Sequence, residues 1–110
     1  MKIELEVCDC SGEAIVCKVT PTDAQIEKIE KAISENPSKM FEWQGELPNV
    51  AETTVEGVDC MSFMDEGILI MSIAGPSYMD CLTIWEDKEM QERAIAETWM
   101  LFVPHLKIFL

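Results

Sequence analysis

The stretch Val58–Ala74, VDCMSFMDEGILIMSIA, divides at its acidic centre into two strands. Val58–Met64 and Ile68–Ala74 flank Asp65-Glu66-Gly67, which reads as a three-residue turn with glycine last, where a left-handed backbone is required. The second arm, ILIMSIA, places large aliphatic side chains on both of its faces, and only Ser72 is polar. A strand of that kind is central to its sheet and covered from both sides. Gly75-Pro76-Ser77 then turns the chain, and Cys81–Trp85 is expected as the third strand of a meander.

Outward from this core, the N-terminal segment predicts a hairpin. Residues 2–8 and 14–20 both alternate, with Cys10-Ser11-Gly12 between them as the loop. Pairing residues whose numbers sum to 22 sets Ile3, Leu5 and Val7 opposite Val19, Cys17 and Ile15, and Glu4 opposite Lys18. Both faces agree on that one register. A helix follows, capped by Thr20 or Thr22 with Pro21 in its first turn, its apolar stripe formed by Ile26, Ile29, Ala32 and Ile33. Asn36-Pro37 ends it, since the residue before a proline avoids helical space. Residues 38–54 read as irregular, with a short edge strand near 40–44.

The second helix is expected to begin at Glu86 or Asp87, with acids at its positive end. Met90, Ala94, Ile95, Trp99 and Phe102 lie along one side. Pro104 is expected to stop it, and HLKIFL (residues 105–110) alternates like one more strand. The expected fold is α+β: one domain over residues 1–110, a mainly antiparallel sheet of about five strands, and two helices. Its doubly apolar central strand needs two covers: helices on opposite faces, or another molecule on one of them.

Charge is segregated. Between Met40 and Asp87 there are ten Asp or Glu and no Lys, Arg or His, whereas the other 62 residues hold eleven acids and eight bases. A net charge of −13 costs stability through self-repulsion and attracts basic partners. With 48% apolar residues the acid belongs to a folded surface rather than a disordered tail. Five cysteines, no signal-peptide pattern and apolar runs too short to span a bilayer point to a cytoplasmic, reduced protein.

No chemistry-bearing motif stands out. Cys8-x-Cys10 lacks a second ligand cluster, so a small-hydrophobe role is preferred to a zinc site. His105, the single histidine, would have to meet a thiol for Cys–His catalysis. The five glycines are dispersed, and phosphate binding would need basic patches that the chain lacks. The expectation is therefore a non-catalytic acidic protein-binding module with no cofactor or metal. It would engage a basic surface of a partner, in the manner of immunity proteins, inhibitors and nucleic-acid mimics. The partner would be a basic protein, such as a nuclease or another nucleic-acid-binding protein, with no direct contact to nucleic acid or membrane. Glu42, Trp43, Glu46, Glu52, Glu56, Asp65, Glu66 and Asp87 are the candidate contact residues, Trp43 as an aromatic anchor. Two alternatives stand beside it. One is an assembly domain that homodimerises through an apolar sheet face or a C-terminal strand. The other is a small-ligand enzyme or sensor.

Overall fold

The computed structural model describes residues 1–8, 14–35, 50–80 and 87–110, with Met79 and Asp80 as backbone only. Among the described residues, five strands and two helices are formed in the order β1 (Lys2–Val7), β2 (Ala14–Thr20), α1 (Asp23–Glu35), β3 (Ala51–Val55), β4 (Val58–Asp65), β5 (Ile68–Ala74) and α2 (Lys88–Phe109), with a 3₁₀ turn at Ser77–Asp80. The strands make one antiparallel sheet in the order β1-β2-β5-β4-β3. The fold is α+β, and β5 is its central strand, as its composition demands.

The first hairpin takes the expected register, from Lys2↔Thr20 to Val7↔Ile15, and Cys8 N–H donates to Ala14 O at 2.9 Å. Its loop, Cys10-Ser11-Gly12, lies outside the described residues, as do the proposed strands near 40–44 and at Cys81–Trp85. Thr22 is the cap of α1. Its carbonyl accepts from Gln25 and Ile26, and its own N–H donates to Gln25 Oε1 at 2.9 Å, the backward half of a capping box. Pro21 therefore precedes the helix rather than opening it.

Three further expectations are corrected. First, Ala51–Val55 is not irregular. AETTV alternates and pairs with β4 from Ala51↔Ser62 to Val55↔Val58, so the sheet gains an edge strand upstream of the meander's first arm.

Second, the turn at Asp65 holds two residues. Asp65 pairs with Ile68, leaving Glu66 and Gly67 at φ 48° and 80°, and Glu56-Gly57 repeats the arrangement at φ 52° and 78°. Two successive positive φ values match the right-handed twist of the flanking strands.

Third, Pro104 does not end α2, and residues 105–109 are helical. Proline removes the N–H that Met100 O would receive and costs ~3 kcal/mol in a helix interior. Against that stand Phe102, Leu106 and Phe109, each almost fully buried. At ~1.5–3 kcal/mol apiece their burial outweighs the defect. The alternation in HLKIFL is equally a helical stripe, and the helical reading buries it.

Both helices cover the same face of the sheet. Ile15, Cys17 and Val19 of β2, Leu69, Met71 and Ile73 of β5, and Cys60 of β4 join Ile29 and Ile33 of α1 and Ala94, Phe102, Leu106 and Phe109 of α2 in one buried cluster. Asp87 caps α2 by accepting from Met90 N–H at 3.2 Å. Lys28 Nζ donates to Leu110 O at 3.0 Å and ties α1 to the C-terminal end of α2, where a cation meets the negative end of the helix.

The Glu-Gly turns make a stability prediction. Neither glycine has a neighbour where a Cβ would sit, so a substitution there tests backbone conformation alone. Gly67→Ala is expected to cost about 1–2 kcal/mol in urea unfolding. Glu66→Asn, which accepts positive φ more readily, is expected to add roughly 0.5 kcal/mol.

Candidate interaction surface

With both helices on one side, the opposite face of the sheet has no covering element among the described residues. Its side chains follow from the register. One row runs Glu6, Val16, Ser72, Met61, Glu52 across all five strands, and the next runs Glu4, Lys18, Ile70, Phe63. Val16, Met61, Phe63, Ile68 and Ile70 are half-buried and form an apolar stripe along the sheet centre. Acids stand on both sides of it. Glu4 and Glu6 lie on β1, Glu52 on β3, and Asp59 and Asp65 on β4.

The two lysines on this face are already engaged. Lys2 Nζ lies 2.7 Å from Glu4, whose carboxyl is held below its usual range by that partner. Lys18 Nζ lies 2.7 Å from Glu6, diagonally across the hairpin rather than on the directly opposed Glu4. Thr54 Oγ1 donates to Asp59 Oδ1 at 2.6 Å, which fixes one carboxylate on the β3–β4 ladder.

The candidate contact residues divide. Glu52 and Asp65 sit on the open face beside the stripe. Glu56 and Glu66 occupy the first positions of the two tight turns, at opposite ends of β4. Asp87 uses its carboxylate as the cap of α2. Glu42, Trp43 and Glu46 lie outside the described residues. Sequence reasoning foresaw an apolar sheet face as one of two alternatives, but it missed which residues form the stripe and the acids of β1 beside it. The signal was there, since a strand apolar on both faces whose helices share one side must present the other.

The remaining reactive groups are placed for packing. Among the described residues, no group of three or more His, Cys, Asp or Glu gathers to hold a metal ion. Cys17 and Cys60 are fully buried, and burial pushes both thiols up to about 11, so they stay protonated at neutral pH. The Cys60 thiol points to Met61 O at 3.8 Å and Ser62 Oγ at 3.6 Å.

His105, also fully buried, shares a 2.9 Å hydrogen bond between Nδ1 and Thr53 Oγ1. Among the described residues its Nε2 closes no hydrogen bond, although the Val58 backbone is near enough to favour a protonated ring. Burial wins over Val58 and the Asp59 charge and holds the pKa below its ordinary 6.5. The imidazole joins α2 to the edge strand β3 as a neutral group.

Comparison with protein-family models, with curated proteins and with solved structures found no match to this chain. No helix among the described residues is long and apolar enough to cross a membrane.

Two outcomes are expected from the buried groups. Because His105 titrates lower when folded, the unfolded chain binds more protons between the two values, and stability falls as pH drops through that window. Wild type should thus lose urea stability relative to His105→Gln as pH falls below the ordinary histidine value of 6.5. Mass spectrometry after native alkylation should find Cys17 and Cys60 unmodified until denaturant is added.

Proposed function

We propose that this chain is a non-catalytic binding module that docks the open face of its sheet onto a basic surface of a partner protein. The observation that carries the reading is the row Glu6–Val16–Ser72–Met61–Glu52, in which apolar Val16 and Met61 flank Ser72 and a glutamate stands at each end. Interfaces that hold have a desolvated centre with polar groups at the rim. The rim charge also accelerates encounter with an opposite surface. A basic nucleic-acid-binding protein, such as a nuclease, has such a surface, and a module that covers it acts as an inhibitor or immunity partner.

A homodimer through this same face is the weaker reading. A second copy would bring its own Glu52, Asp59 and Asp65 toward the same acids of the first, and like charges brought together cost several kcal/mol. The version that used a C-terminal strand has no strand to use, because residues 105–109 belong to α2.

The test is a partner captured at low salt, purified and titrated against the chain. Affinity should fall at least about tenfold between roughly 0.05 and 0.5 M salt. The triple variant Glu52→Lys/Asp59→Lys/Asp65→Lys should slow association, and Phe63→Ala should speed dissociation. Binding that is indifferent to salt and to both variants would sink the reading.

A further inference from the structure

We infer that the chain forms a two-fold dimer through the outer edge of β1, with residue 3 of each copy on the axis. This inference is independent of the proposed partner, whose surface it leaves open.

β1 is the outermost strand on its side of the sheet, and no described residue pairs with its outer edge. The hydrogen bond from Cys8 N–H to the directly opposed Ala14 O identifies a hydrogen-bonded pair. Residues 2, 4 and 6 therefore turn their backbone groups toward β2, and Ile3, Leu5 and Val7 turn theirs outward. A six-residue edge with outward donors and acceptors, no proline and large apolar side chains on the core face is a template for another strand.

The side chains choose which strand. Antiparallel self-pairing must match outward residues to outward residues, so the two paired numbers sum to an even value. A sum of 6 sets Ile3 opposite Ile3 of the other copy, and Lys2 opposite Glu4 twice. A sum of 8 also sets Lys2 opposite Glu6 twice but brings Glu4 against Glu4 on the axis, and a sum of 10 sets Glu4 against Glu6 twice. Like charges directly opposed are unfavourable, so the first register is selected. These residues are exposed, and their pairing adds little energy but fixes alignment.

Two further features agree. A largely apolar groove of about 290 Å³ runs beside this edge, walled by Met1, Ile3, Trp99, Val103, Leu106 and Leu110 together with Lys107, and Met1 is 65% exposed. Ile3 lies on the axis as well as in the groove wall, so pairing brings the grooves of the two copies together and covers both. The acidic strands β3 and β4 also lie at the far side of the sheet, with β3 roughly 19 Å from β1. A copy added at β1 keeps Glu52, Asp59 and Asp65 of the two copies, which no base on β3 or β4 offsets, as far apart as the sheet allows.

The experiment is sedimentation equilibrium of the full chain from low micromolar to high micromolar concentration, joined to amide hydrogen exchange at both ends of that range. Wild type should approach twice 12.5 kDa as concentration rises. The amides of Ile3 and Leu5 should gain protection in step. Lys2→Glu should weaken dimerisation about tenfold by setting a second carboxylate opposite Glu4, and the swap Lys2→Glu/Glu4→Lys should restore it. A chain monomeric throughout overturns the inference. So does a dimer indifferent to Lys2→Glu, one that the swap fails to rescue, or edge amides whose protection does not change with concentration.

Discussion

The structure depends on one constraint: both helices bury the same side of the sheet. Ile15, Cys17 and Val19 on β2 and Leu69, Met71 and Ile73 on β5 form a continuous apolar floor, onto which Ile29, Ile33, Phe102 and Phe109 descend. Once α2 runs unbroken to Phe109, its length is enough to reach β1, through Ile3 and Trp99, and β3, through Thr53 and His105. The opposite side of β5 carries Ile68 and Ile70 no less than the inner side carries Leu69 and Met71. A strand built for two covers thus receives one from the described elements, and the surface this creates follows from how the helices are allotted, not from any dedicated motif.

Much of this was legible in the chain. The hairpin register could be read from two faces agreeing at once, and α1 from isoleucines spaced at three and four with a capping residue ahead of them. The central place of β5 came from its lack of a wet side. What escaped did so for identifiable reasons. AETTV is short and polar, and its neighbour VEGV shows its meaning only when set beside DEGI, the other Glu-Gly turn. Pro104 is a strong local stop signal, and only the burial of three large side chains around and beyond it overrides the signal. The choice of one shared face for both helices is a tertiary decision, and no window of sequence contains it.

The charge distribution acquires a direction from the topology. In sequence it is a long acidic stretch between two more balanced ends. In the sheet it becomes an asymmetry between edges, with β3 and β4 acidic and β1 carrying both signs. The acids of the open face add to this by standing in line with apolar neighbours, because adjacent strands set Glu6 beside Val16 and Met61 beside Glu52. Hydrophobic and electrostatic contributions to recognition are therefore interleaved on a single plane.

The two Glu-Gly turns bear on the order in which the molecule assembles. They join β3, β4 and β5 through loops of two residues, so the entropic cost of closing those ladders is nearly as small as a chain permits. The β2–β5 ladder, by contrast, has to bring Val19 to Leu69 across fifty positions. Local contacts of this kind form early and distant ones late. The meander is thus the expected scaffold of the folding transition state, and the N-terminal hairpin docks onto a sheet whose acidic half already exists.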